Sequence, residues 1–352
     1  MKNGEMHTRR NFIQLLSAGA LPMSAFSDEV LFKNHSPVRD INEKKFVPVM
    51  ITPFDSSLKI DFTALSKLID FYIQSGAKGF FANCLSSEMY TLTNEERLSL
   101  VTHVVKQVNG SFPVVASGSF GKTLEERAAF TKKMYDTGVN AVILITSHFA
   151  DKDEPDDILI KNFEKFFSLT GNIPVGTYEC PSPYKRILSP TVFKYLLSTN
   201  RLIYHKDTTL DIDKVKEKLQ LATGSRLELY DAHTPNAMYS LQAGAKGISA
   251  IAGNFYPEIY AWLCRNVNDT SKWEDVKWIQ SEITKADPLI SESYPMSAKY
   301  FLQKRGIPLQ LLCRSSSTPL TASQKEKLDE LYNDITVWHK RLSIDAHTGL
   351  QH

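Results

Sequence analysis

Short apolar runs alternate with helical periodicity along most of the chain. The runs are FVPVMIT (46–52), GFFANC (79–84), PVVASGS (113–119), AVILIT (141–146), PVGTY (174–178), LIYHK (202–206), LELYD (227–231) and GISAIA (247–252). Each is apolar on both faces, as a strand covered on both sides must be. The segments between carry apolar residues at three and four spacing and helix punctuation. Residues 61–76 end on Gly76, residues 93–110 open with a capping box from Thr93 to Glu96 and end on Gly110, and Thr123 with Glu126 opens a helix that ends at Gly138. Three helices run into similar phrases, SGAKGFF, TGVNAVIL and AGAKGIS, so a helix stops at glycine and a strand follows at once.

Such alternation requires a parallel sheet covered by helices, closed as a barrel or left open and doubly wound. Eight units without a GxGxxG after the first strand predict a (β/α)8 TIM barrel over residues 45–256. Beyond Pro257 only helical stretches remain, including PEIYAWLCRNVN, KWEDVKWIQSEITKA and TASQKEKLDELYNDITVWHKRL. They predict a C-terminal helical extension over 257–345, packed on the barrel or on a neighbouring subunit, with 346–352 as a tail. Residues 28–44 are polar and aperiodic and read as a linker.

The first 27 residues follow a different pattern. HTRRNFIQLLSAGALPMSAFS pairs Arg9 with Arg10, runs through an apolar stretch and ends in small residues. That order matches a twin-arginine export signal and predicts a periplasmic protein, with a leader on a cytoplasmic protein as the alternative. Ser17, Gly19 and Pro22 interrupt the apolar part, which is too short for a stable membrane span.

Composition narrows the partners. The 352 residues are 42% hydrophobic and 23% charged with a formal net charge of +2, without the basic excess of a nucleic-acid binder. The four cysteines, Cys84, Cys180, Cys264 and Cys313, form no CxxC and have no histidine at metal-ligand spacing. They read as buried free thiols.

Active sites of such barrels lie at the carboxyl ends of the strands. The residues there are Thr52, Cys84 with the following LSSE, Ser117, Ser119, Ser147, His148, Tyr178, Lys206, Asp231, His233 and Ser249. Lys206 is the one amine among them. A free lysine, with a pKa of about 10.4, is about 99.9% protonated at neutral pH and no nucleophile. Burial beside Leu202 and Ile203 would lower that pKa and free the amine to form a Schiff base with a ketone. The alternative is a lysine that snorkels from the strand end and pairs with Asp207.

Tyr178 ends the preceding strand, about 5 Å away across a sheet, and could exchange protons with a substrate bound to Lys206, or simply bind backbone. Ser86 and Ser87, in the turn after strand two, could hold a carboxylate by hydroxyl and amide groups, or serve as local turn partners. GSFGKT (118–123) ends like a phosphate loop, but its first glycine position is Ala116. His148 and His233 lack metal-pair spacing, and His148 is as readily a substrate hydrogen-bonder as a bystander. The acid-rich DKDEPDD after His148 reads as a solvated helix start.

In order, FVPVMITPFD, CLSSE with TLTNEER, YECPS, IYHKDTT and GAKGISA resemble the dihydrodipicolinate synthase and N-acetylneuraminate lyase family of class I aldolases. The resemblance covers residues 46–255. It implies a barrel with a helical C-terminal region, a homo-oligomer that is a tetramer or dimer, and an enzyme needing no metal and no other cofactor. Lys206 matches the Schiff-base lysine and Tyr178 the tyrosine of Tyr-Asn-X-Pro-Ser. Leu85 and Ser86 fall on the hydroxyl pair of the Gly-Thr-Thr-Gly-Glu turn, with Cys84 and Ser87 in place of its glycines.

Leu85 thus replaces a relay hydroxyl, while carboxylate binding through Ser86 and the Ser87 amide is retained. Pro183 stands where the synthase branch has an arginine, and His148 and Phe149 stand where it has paired tyrosines, which argues against lysine biosynthesis. Thr208 matches the Lys-X-Thr of the sialic acid lyase branch, whereas YDAHT lacks that branch's paired acids for a polyol chain. The expected activity is a lyase or aldolase of a 2-keto acid, with pyruvate as product or donor and an aldehyde or keto-deoxy sugar acid as the other substrate. A dehydratase using the same Schiff base, or an exported and catalytically weak keto-acid binder, are the alternatives. Substrate contacts are expected from Ser86, Ser87, Leu85, Thr208, His148, Asp231 and Ser249.

Overall fold

The computed structural model describes residues 43–345; the export signal, almost all of the linker and the tail expected above lie outside them. Eight parallel strands follow one another as β1 (Lys45–Phe46), β2 (Phe80–Ala82), β3 (Val114–Ser117), β4 (Ala141–Ile145), β5 (Val175–Tyr178), β6 (Leu202–Asp207), β7 (Glu228–Asp231) and β8 (Gly247–Ile248). Each of β2 to β7 pairs with the next, and β8 pairs with both β7 and β1. A parallel bridge from Val49 to Phe81 joins the continuation of β1 to β2. The ring is therefore closed, as the eight apolar runs predicted.

The intervening helices are α1 (Phe62–Gln74), α2 (Asn94–Val108), α3 (Leu124–Tyr135), α4 (Asp156–Thr170), α5 (Pro190–Ser198), α6 (Ile212–Leu221) and α7 (Ala237–Gln242). Five of them start on side-chain caps. Asp61, Thr93, Thr123, Ser189 and Asp211 each accept a backbone N–H of the first turn. The glycines of the repeated phrase are what let a helix turn directly into a strand. Gly76, Gly138 and Gly244 have φ of +93°, +96° and +114°, a region that other residues enter only with strain. Gly247 answers a different need, because a Cβ there would lie 1.9 Å from the Lys45 carbonyl oxygen where β8 meets β1.

After β8 come α8 (Pro257–Asn266), α9 (Trp273–Ser291), α10 (Met296–Lys304) and α11 (Ala322–Leu342). Helix α8 packs on β1 and β8 and so occupies the eighth place in the helical ring. The sequence boundary at residue 256 therefore falls between the last strand and its own helix. The rest of the extension packs on its own barrel: Gln280 of α9 reaches the Thr234 carbonyl, and Lys299 of α10 reaches Glu88. A buried group of Glu258, Arg305 and His339 joins α8 to the ends of α10 and α11. Among the described residues no helix is long and apolar enough to cross a membrane.

Candidate active site

Side chains alternate across each strand, so β6 sends Tyr204 and Lys206 into the barrel and His205 and Asp207 towards the helices. Tyr178 of β5 is the register partner of Lys206. The Lys206 Nζ lies 4.6 Å from the centre of the Tyr178 ring and 5.5 Å from that of Phe81. Phe81, Tyr178, Tyr204 and Tyr230 make an aromatic interior around it, with Phe81 edge-on to Tyr178 and Tyr204, and Tyr204 stacked on Tyr230.

Lys206 is 3% exposed, and among the described residues no carboxylate lies within ion-pair distance of its amine. Burial lowers its pKa from the ordinary lysine value, against a weaker opposing pull from the Cys84 and Cys180 thiols. The neutral amine is thus accessible nearer to neutral pH. Burial, helped by Cys180 and Cys84, pushes the Tyr178 phenol well above its ordinary pKa, so it rests protonated as an acid. The expected alternative for Lys206, pairing with Asp207, does not occur: Asp207 faces the helices and binds Lys218.

The turn after β2 is a single 3-10 turn, Leu85–Ser87, followed by Glu88 at φ +57°. Ser87 is consumed in building it. Its N–H donates to the Cys84 carbonyl, its hydroxyl accepts the Cys84 N–H and donates to the Met50 carbonyl at 2.6 Å, and its carbonyl accepts from Thr52. The amide expected to bind a carboxylate is therefore already committed to the turn. Ser86 is buried beside the Tyr294 phenol, and Leu85 is half-buried against the core. Glu88 is held by the Lys299 amine at 2.9 Å and by the Ser315 N–H and hydroxyl.

The other expected contacts divide. Ser249 faces into the barrel beside Tyr204. His148, in the 3-10 turn Thr146–His148, points its Nδ1 at the Ser119 carbonyl and has its Nε2 3.2 Å from the Tyr90 phenol, whose single proton is within reach of both that nitrogen and the Ser182 carbonyl. Burial, together with Arg127 and Arg97, lowers the His148 pKa to about 4, so the ring is neutral at pH 7. Tyr90 and His148 thus bridge four loops across the mouth. The Thr208 hydroxyl donates to the Glu179 carbonyl at 2.6 Å, a bond between strand ends. Asp231 is the register partner of outward-facing Asp207, and its Oδ1 accepts the His233 N–H. It lies on the helix side and not beside Lys206, and burial pushes its pKa up to about 7.

Sequence reasoning missed the group behind the sheet. Glu179, His205 and Asp207 come together between β5, β6 and α6, with potential ligand atoms within 4.8 Å of one another. The Lys218 amine fills their centre, at 2.5 Å from Glu179 Oε1, 2.8 Å from Asp207 Oδ2 and 3.2 Å from His205 Nε2. Opposite to Lys206, its pKa is raised, because the two carboxylates outweigh its burial. Polar residues on the helix-facing side of a β6 buried on both faces were the available signal, since such groups need buried partners.

A family model for the dihydrodipicolinate synthetase family matches residues 42–335. The chain belongs to this family. Relatives include 4-hydroxy-tetrahydrodipicolinate synthases from Oceanobacillus iheyensis, 25% identical over 84% of this chain and 98% of that protein, and from Shewanella baltica, 28% identical over 62% and 72%. Among solved structures, a prophage protein of the dihydrodipicolinic acid synthase family from E. coli K12, in complex with pyruvate, superposes with a TM-score of 0.74 at 20% identity. It covers 83% of this chain and 98% of its own. As a member of the dihydrodipicolinate synthetase family the chain is an enzyme of the aldolase type, on the barrel fold that its sequence predicted.

Proposed function

We propose that the protein is a class I lyase or aldolase that forms a Schiff base between Lys206 and a 2-keto acid, with pyruvate as product or donor. One observation carries this: the barrel's buried amine without a carboxylate partner stands opposite a protonated tyrosine. The pyruvate complex of the structural neighbour supports the substrate class.

The chemistry follows from the two groups. The neutral Lys206 amine adds to the ketone carbon, and the Tyr178 phenol gives its proton to the departing hydroxyl, which leaves as water. Iminium and phenolate remain, and the adjacent cation stabilises the phenolate. In the cleavage direction the phenolate takes the proton of the substrate hydroxyl two carbons from the iminium. The C–C bond breaks, its electron pair forms the enamine, and an aldehyde departs. Tyr178 then protonates the enamine carbon, and water releases pyruvate from Lys206.

Leu85 and Pro183 depart from the synthase pattern, and favour a keto-deoxy sugar acid or a sialic-acid-type substrate over the substrates of lysine biosynthesis. A dehydratase is the second reading, because the same iminium can instead lose a C3 proton to the Tyr178 phenolate, and the enamine so formed expels the C4 hydroxyl, which takes that proton back from the phenol and leaves as water. A catalytically weak keto-acid binder is the third, resting on Leu85. The arginine pair Arg9 and Arg10 supports export to the periplasm, and the family supports a tetramer or dimer.

The test is to incubate the protein with pyruvate and borohydride and weigh it. A mass gain of one reduced pyruvate, absent in Lys206→Ala, is expected. No adduct at saturating pyruvate overturns the Schiff-base reading. Product analysis on keto-deoxy sugar acids then separates aldolase from dehydratase.

A further inference from the structure

Glu179 directly follows Tyr178 in the chain, and Asp207 directly follows Lys206. Both acids turn to the back of the sheet, where one lysine joins them. The joint is complete in hydrogen bonds. An ammonium has three N–H groups, and those of Lys218 meet Glu179, Asp207 and His205. The imidazole accepts through Nε2 and faces the Thr177 hydroxyl through Nδ1 at 2.8 Å. Glu179 spends its remaining capacity on the Leu188 and Thr208 N–H groups, and the Thr208 hydroxyl returns to the Glu179 carbonyl. The side chains of Glu179, His205 and Asp207 have 0% exposure and that of Lys218 5%.

We propose that Lys218, with Glu179 and Asp207, is a positioning clamp for the two catalytic residues: it locks the ends of β5 and β6 together from behind, and so fixes the distance from Tyr178 to Lys206. The strands need such a lock. The β5–β6 register slips by one residue between Val175 and Gly176, below the site, so backbone pairing alone leaves the strand ends less well determined. A clamp attached one residue beyond each catalytic side chain acts where that slack would be felt. Misplacement of about 1 Å is enough to cost on the order of a hundredfold in a proton transfer.

The inference rests on the Schiff-base reading, and pyruvate alone tests it. The final yield of trapped imine at saturating pyruvate needs the Lys206 amine, and Tyr178 affects only how fast it is reached. Exchange of pyruvate methyl protons with deuterated water further needs a base held at the right place. A methyl C–H breaks, its proton goes to the Tyr178 phenolate, its electron pair forms the enamine, and a solvent deuteron returns.

The variant is the double substitution Glu179→Gln with Lys218→Met, which removes one charge of each sign. In the full-length protein, the adduct trapped by borohydride at saturating pyruvate is expected to stay within twofold of wild type, while methyl exchange followed by NMR falls at least tenfold. Unchanged exchange overturns the proposal, and so does a parallel loss of adduct and exchange. If the double variant does not fold, Glu179→Gln alone is read by the same criteria. Lys218→Arg, which keeps the charge and the link, is expected to recover most of the exchange. Absence of adduct in the wild type would instead overturn the Schiff-base reading itself.

Discussion

Lys206 and Lys218 sit on the two sides of one strand, both buried, in opposite electrostatic states. Lys206 looks into an aromatic interior without a carboxylate, and its pKa falls; Lys218 is held by two carboxylates and a histidine, and its pKa rises. Burial acts on both in the same direction. The difference lies in the partners, and it separates a lysine whose charged form burial disfavours from one kept charged.

Equivalent substitutions should therefore have opposite consequences. Lys206→Met is expected to lose activity by on the order of a thousandfold or more, with thermal stability unchanged or raised, because an unpartnered buried amine is replaced by an apolar side chain of similar size. Product assays and a melting curve on the same sample check both halves. Lys218→Met should lose about 3–5 kcal/mol of stability, since it leaves two buried carboxylates without their cation. Chemical denaturation measures this, and a loss under about 1 kcal/mol would erase the contrast.

Asp231 is an intermediate case, a carboxyl buried near the clamp without a cation of its own. Its folded pKa of about 7 lies above the unfolded value, so it costs stability as pH rises from about 4 to 7 and holds that cost above 7. Asp231→Asn should be neutral near pH 4 and stabilising by about 1–4 kcal/mol at pH 8, as read from denaturation at the two values.

The two lysines should also differ in their pH response. Asp207 has a lowered pKa and Lys218 a raised one. The Asp207 contribution is present above about pH 4 and fades below it, while the Lys218 contribution is present up to about pH 10.5 and fades above it. Lys206 has a lowered pKa, so its cost is largest at low pH and disappears as pH approaches about 10.5. The stability difference between wild type and Lys206→Met should shrink across the alkaline range in denaturation measured at pH 7, 9 and 10.5. A constant difference would show that Lys206 is not depressed.

Much of this was legible in the sequence. Apolar runs located all eight strands, because a parallel strand covered on both sides has few polar positions. Apolar spacing and Gly76 located α1, the Thr93 and Thr123 caps located α2 and α3, and the strand-end rule placed Lys206 and Tyr178 side by side. Helix α10 escaped because MSAKYFLQK is short and follows Pro295 without a side-chain cap. The roles of Ser87, Thr208 and Asp231 did not follow from position. A hydroxyl or carboxyl at a strand end faces the mouth or the helices according to alternation, and nearby backbone can claim it first. The clamp escaped because Lys218 is one of three lysines in a short helix, with Lys214 and Lys216, and spacing alone does not say which of them turns inward.

The bond from Glu88 to Lys299 gives the order of synthesis a chemical meaning. All eight strands exist once residue 248 has been made, yet the residue that closes the turn after Leu85, Ser86 and Ser87 finds its buried counter-ion only 51 residues later, and its Ser315 donors later still. A growing chain of that length thus holds every strand but lacks the cation that anchors the turn. Binding competence of the nascent chain should appear only after Lys299 and Ser315 have been added.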